Sequence, residues 1–122
     1  MSNVLNITVD QGTNKPYTFN LFDKNNAPYN LAGFDARLMV RKAYGDAVPQ
    51  ISATVANGML YVDPTFGTVA WNIDPADTSS IRFDNPNDDT LDCVYDLQII
   101  SSDGKVYRVA AGTLTINRAV TR

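Results

Sequence analysis

Apolar and polar residues alternate along most of the chain, which is the pattern of β-strands with one buried face. The alternation predicts eight or nine short strands, over residues 4–10, 17–21, 34–41, 51–55, 59–62, 69–73, 93–100, 106–110 and 113–117. Turn-forming residues separate these segments at intervals of about 8–12 residues, as in sandwiches. We therefore expect one all-β domain over residues 1–122, an immunoglobulin-like antiparallel β-sandwich, with a closed barrel as the competing architecture.

Two glycine-containing pairs predict tight hairpins. Asp103-Gly104 lies between the strands over 93–100 and 106–110, and Asn57-Gly58 lies between those over 51–55 and 59–62. Glycine accepts a positive φ without steric cost, and Asn-Gly is the preferred pair of a type I′ turn. The other glycines, Gly112 included, are expected at turns or strand ends.

One short helical segment is expected near residues 75–81. Asp74 is a suitable N-cap, Pro75 suits the first helical position, and Asp77 is favourable near a helix N-terminus. The segment, with Ile81, would cover one open end of the sandwich. Trp71, the only tryptophan, is expected in the core, with surface recognition as the alternative.

Composition narrows the range of functions. The net charge is −3 and the ten basic residues are mostly scattered, which argues against nucleic acid as a partner. The absence of histidine removes the commonest general base and metal ligand, and the single cysteine, Cys93, is expected to be a buried, inert thiol. No apolar run approaches the ~20 residues of a membrane helix, and no signal peptide is evident. We expect a protein without catalytic residues, cofactor or membrane partner.

The acidic loop over residues 83–92 is the one cluster with possible metal chemistry. Carboxylates bind Ca²⁺ when they converge, and the loop holds Asp84, Asp88, Asp89 and Asp92. Their spacing is not that of an EF-hand, so a solvated loop is the simpler interpretation. A carbohydrate- or Ca²⁺-binding module would use this loop together with exposed tyrosines such as Tyr29, Tyr44 or Tyr61.

The strand over residues 34–41 has one apolar face and one face carrying Arg37, Met39 and Arg41. Such a face is commonly only solvated, with arginine stems lying over apolar surface. The alternative is a subunit contact, because Arg and Met are enriched in interfaces. Two end segments, residues 4–9 and 113–117, carry no charge, so each could pair with a neighbouring subunit or within the domain.

An ordered set of motifs resembles a family of small virion proteins of tailed bacteriophages, which includes ring-forming tail collar proteins to which L-shaped tail fibres attach. The motifs are residues 7–12 (ITVDQG), 30–37 (NLAGFDAR), 40–44 (VRKAY), 66–69 (FGTV), 95–98 (YDLQ), 103–108 (DGKVYR), 112–116 (GTLTI) and 120–122 (VTR). The resemblance runs along nearly the whole chain. It implies an immunoglobulin-like sandwich that assembles on the virion and has no catalytic residues.

The resemblance therefore predicts a structural protein made in the bacterial cytoplasm and located in the virion. It would act on the tail as a collar, fibre-attachment or baseplate adaptor, in a ring or several copies. Its partners would be tail tube, fibre or baseplate proteins, and it would form a homo-oligomer. Arg37, Met39, Arg41 and Tyr44 are the expected interface residues. A capsid decoration protein of the same fold, bound to the major capsid protein, is the alternative.

Overall fold

The described part of the chain folds into two packed β-sheets and one short helix, which is an all-β, sandwich-like fold. The computed structural model describes residues 3–43, 45–46, 49–79, 81 and 87–118. The elements are β1 (Asn3–Val4), β2 (Ile7–Asp10), β3 (Lys15–Asn20), β4 (Asp35–Arg41), β5 (Ile51–Thr54), β6 (Leu60–Asp63), β7 (Thr68–Ile73), α1 (Pro75–Ser79), β8 (Thr90–Ile100) and β9 (Val106–Asn117). The predicted fold class is confirmed.

The nine strands divide unequally between the sheets. The large sheet has the order β1-β9-β8-β4-β5, with β2 also paired to β9, and the small sheet has the order β3-β7-β6. Most neighbours are antiparallel, but β1 and β2 run parallel to β9. The N-terminal strands thus pair within the domain. The second end segment, residues 113–117, lies inside the sheet between β8 and β2.

The core lies between the sheets and follows the alternation of the sequence. In β8 every second residue from Leu91 to Ile99 is buried, and the intervening residues are partly or fully exposed. Trp71 is fully buried on β7, and its ring centroid lies 6.4 Å from that of Tyr95 on β8. Cys93 is also buried. The core positions predicted for Trp71 and Cys93 are confirmed.

The β8–β9 hairpin forms as predicted. Gly104 has a φ of 89°, and the backbone N–H of Ser101 donates to the carbonyl of Lys105 over 2.8 Å. The hydroxyl of Ser101 also donates to the carboxylate of Asp103, a bond that lowers the pKa of Asp103. The Asp-Gly pair and its neighbours thus suffice to close this turn locally.

The hairpin predicted at Asn57-Gly58 is wrong. β5 pairs with β4 in the large sheet, whereas β6 pairs with β7 in the small sheet, so the chain changes sheets at this turn. A type I′ turn needs a positive φ at both central residues, and here Gly58 has one but Asn57 does not. The Asn57 side chain instead accepts the N–H groups of Thr54 and Met59. This arrangement stabilises a corner.

Gly112 lies inside β9, contrary to the expectation that it would end a strand. The chain between β1 and β2 crosses directly above it, so a Cβ at Gly112 would approach the Leu5 carbonyl oxygen to 2.2 Å. That carbonyl accepts a 2.6 Å hydrogen bond from the Tyr95 hydroxyl. The Asn6 side chain accepts the N–H of Thr113 over 3.1 Å, in place of a backbone carbonyl. Gly112 is therefore required for the N-terminal segment to lie on the sheet.

The predicted short helix is confirmed as α1, and Ile81 is buried beside it. The hydroxyl of Thr78, a buried polar side chain, accepts the backbone N–H of Gly12 over 2.9 Å. The Gln11 side chain donates to the Thr78 carbonyl over 3.4 Å. The helix therefore closes one end of the sandwich by binding the turn between β2 and β3.

Candidate functional site

The outward face of β4 forms one wall of a groove on the large sheet. Ala36, Leu38 and Val40 point into the core and are buried, so the intervening side chains face outwards. Arg37 is exposed, and Met39 and Arg41 are half-buried. These three predicted interface residues lie together, whereas Tyr44 lies outside the described residues.

The neighbouring strand β8 supplies the floor of the groove. Arg37 pairs with Gln98, Met39 with Asp96, and Arg41 with Val94. The Asp96, Gln98 and Val94 side chains alternate with buried core residues and are themselves half-buried. Two adjacent strands thus present polar groups on one outward surface, with Met39 and Val94 as its apolar parts.

A β-bulge brings a third arginine into the groove. Leu97 pairs with Ala110 but Gln98 pairs with Arg108, so Val109 is the extra residue in β9. Val109 and Ala110 are consecutive and both buried, and Arg108 consequently faces outwards. Arg37, Gln98 and Arg108 form one row across three strands, in which the two arginine backbones are about 10 Å apart.

The groove has a volume of about 420 Å³ and is lined by these outward residues of β4, β8 and β9. The Nε–H of Arg37 donates to the Gln98 side-chain oxygen over 2.7 Å, which fixes the guanidinium over the row. Both terminal nitrogens of Arg41 lie 3.7–3.8 Å from the Met39 sulfur, a weak acceptor. Within the described part of the chain, no salt bridge joins Asp96 to an arginine.

The charge of the groove suits an acidic ligand. It contains three arginines and one aspartate, so its formal charge is positive although the whole protein is negative. Arginine binds carboxylates through a rigid fork of N–H donors, and the terminal nitrogens of Arg37 remain available for such contacts. The groove also has apolar area, which allows a protein surface to pack on it.

Arg108, Asp96 and Gln98 were missed by the sequence reasoning. Asp96 and Gln98 are visible in the sequence as the polar half of an alternating strand, but their position beside Arg37 and Met39 depends on strand register. Arg108 depends on the bulge, and the available signal was the break in alternation at Val109-Ala110.

The acidic loop has other roles in its described part. Asp92 accepts a 2.8 Å hydrogen bond from the Thr115 hydroxyl, and the backbone carbonyls of Asp88 and Asp89 accept from Arg118. Asp84 lies outside the described residues. Among those described, no three His, Cys, Asp or Glu residues cluster so as to hold a metal ion.

The structure describes two of the three tyrosines named for the carbohydrate alternative. Tyr29 is half-buried and packs edge-on against Phe34, with a centroid distance of 6.0 Å. Tyr61 is 62% exposed on β6 of the small sheet. Tyr44 is outside the described residues.

No helix in the described ranges has the length and apolar character needed to cross a membrane. The chain matches no family model, and no curated protein sequence matches it.

Proposed function

We propose that the protein is a non-enzymatic structural component of a tailed-bacteriophage virion. It would act on the tail as a collar, fibre-attachment or baseplate adaptor, present in several copies. The sequence motifs supply the phage assignment, and the arginine groove is the observation that carries the docking role. Because three arginines converge there around Gln98 and Asp96, the groove suits a partner surface that presents carboxylates.

Docking on this groove needs little conformational change. The guanidinium of Arg37 is already oriented by Gln98, and the backbone of β4 is held between β5 and β8. A preorganised side chain loses less entropy on binding than a free one. The partner's carboxylates would bind Arg37, Arg41 and Arg108, while its apolar atoms pack on Met39 and Val94.

The test compares charge reversals of equal size. The Arg37→Glu/Arg41→Glu double variant should be lost from virions purified from cells that assemble them, and its thermal unfolding should match that of the wild type because both side chains lie on the outward face. Lys24→Glu/Lys105→Glu is the matched control, since both lysines are exposed. The control should be incorporated normally, as measured by mass spectrometry of the purified particles.

Normal incorporation of the arginine variant would contradict the groove as the docking site. Absence of the wild-type protein from purified particles would contradict the virion role itself. Wild-type protein found on isolated heads and missing from tails would select the alternative, a capsid decoration protein.

A further inference from the structure

The described strands leave four sheet edges, and three of them carry features that oppose pairing with another chain. In the small sheet, β3 contains Pro16, which lacks an N–H donor, and β6 is followed directly by Pro64. In the large sheet, the Asn57 side chain binds the N–H of Thr54 and the carbonyl of Ser52, so it covers the edge of β5. The remaining edge consists of β1, which has two residues, and β2, which lie end to end along β9.

The open side of β2 presents its even-numbered backbone groups. Leu5 and Gln11 donate their N–H groups to carbonyls of β9, so the odd-numbered residues of this segment face β9. Thr8 and Asp10 consequently direct theirs away from β9, and no described strand pairs with that side. Residues 4–9 contain neither charge nor proline, and those are two of the common protections of an edge strand.

We propose that β2 pairs antiparallel with β2 of a second copy of this chain, about a two-fold axis at Thr8. In this register Thr8 lies opposite its own equivalent, and Asn6 lies opposite Asp10 of the second copy. The pairing is self-complementary, because the one charged residue of β2 meets an amide and no like charges are opposed.

The Asn6 and Asp10 side chains can form a hydrogen bond between the two copies in this register. The Asn6 Oδ1 already accepts the N–H of Thr113, which leaves its NH₂ group as a donor. Asp10 accepts from the Asn117 side chain through Oδ1, which leaves its second carboxylate oxygen for the Asn6 amide of the other copy. The proposal depends on β2 alone and is independent of the arginine groove.

The experiment measures solution mass by light scattering over about a hundredfold concentration range. The wild type should approach twice 13.4 kDa as concentration rises. Thr8→Lys and Thr8→Glu should each raise the dimer dissociation constant on the order of tenfold or more, because like charges then face each other across the axis. An equimolar mixture of the two variants should form the dimer again, since the charges become opposite.

Thr65→Lys is the matched control. Thr65 is exposed in the turn between β6 and β7 of the small sheet, so the added lysine lies outside the proposed β2 contact. This variant should dimerise as the wild type does. The Arg37→Glu/Arg41→Glu variant should also keep the dimer, which separates failure of this proposal from failure of the docking role.

Amide hydrogen exchange locates the contact. The Thr8 amide should exchange more slowly as the dimer forms, whereas the Ile7 and Val9 amides, which face β9, should be protected at every concentration. A wild type that stays monomeric, a Thr8→Lys variant that dimerises normally, or a mixture that does not recover would each overturn the proposal. A dimer made by exchanging whole N-terminal strands would survive Thr8→Lys and is excluded by the expected result.

Discussion

At the scale of single residues, Gly112 determines whether the N-terminal segment can pack on β9. We predict that Gly112→Ala lowers the free energy of unfolding by about 2–3 kcal/mol, because the new Cβ must displace the Leu5 carbonyl and its bond to Tyr95. Urea denaturation measures this loss. Gly45→Ala is the control, since a Cβ there meets nothing within 4 Å, and it should be nearly neutral. Equal effects at both positions would contradict the close crossing.

Tyr95, on β8, binds the same Leu5 carbonyl. Its hydroxyl donates to the Leu5 carbonyl in a partly buried hydrogen bond, so Tyr95→Phe should lower the free energy of unfolding by about 1–2 kcal/mol at neutral pH. Tyr61→Phe, at a residue that is 62% exposed, should cost almost nothing. Equal stability of the two variants in urea denaturation would contradict a stabilising hydrogen bond.

Tyr95 also makes the stability of the fold depend on pH. Burial, with a smaller contribution from Tyr17, raises the pKa of Tyr95 to about 12 from 10.0. The folded state therefore keeps the phenol proton where the unfolded state has lost it. Stability from this group is complete below pH 10.0 and is lost as pH rises towards about 12, at up to about 1.4 kcal/mol per pH unit.

Urea titrations across this range should show a steeper fall for the wild type than for Tyr95→Phe. Comparing the wild type with Tyr95→Phe removes every contribution that the two proteins share. Parallel pH profiles would contradict the raised pKa.

At the scale of elements, sequence reasoning succeeded where the determinants are local. Alternation gave the strands of the core, and Asp103-Gly104 gave the β8–β9 hairpin, because each signal is contained in its own segment. The hairpin predicted at Asn57-Gly58 did not form, because β6 pairs with β7 in the small sheet and Leu60 is buried there. That pairing joins segments outside the turn, so the turn residues alone do not determine it. The parallel pairing of β2 with β9 also joins distant segments, and no local pattern specifies it.

The groove residues also divide into those that a local pattern predicts and those that depend on strand pairing. The outward positions of Arg37, Met39 and Arg41 follow from alternation within β4. The contributions of Asp96 and Arg108 require the register of three strands and the bulge in β9. The residues that β4 contributes were thus predictable, but the shape and the net charge of the groove were not.

The contact between α1 and the β2–β3 turn predicts the behaviour of a whole element. Thr78→Val keeps the shape of the side chain but leaves the N–H of Gly12 without its acceptor, which should cost about 1–2 kcal/mol. The loss should be accompanied by faster amide exchange at Gly12. Thr65→Val, in an exposed turn, should change neither. Unchanged exchange at Gly12 in the Thr78 variant would contradict this link between the helix and the turn.

At the scale of the whole molecule, the two proposals combine because the groove and β2 belong to one sheet. Antiparallel pairing about a two-fold axis perpendicular to that sheet places both arginine grooves on the same side of the dimer. A dimer could then bind an acidic surface at two points, and linked binding gains about 10²–10⁴ in apparent affinity.

We therefore predict that the wild-type protein dissociates from a dense polyglutamate surface at least about tenfold more slowly than Thr8→Lys. The groove itself is intact in both proteins. Biolayer interferometry at two surface densities measures this. Sparse polyglutamate should remove the difference, because the two grooves can no longer bind together. Arg37→Glu/Arg41→Glu should bind weakly at either density. Equal dissociation of the wild type and Thr8→Lys from the dense surface would show that dimerisation and docking are not coupled through this sheet.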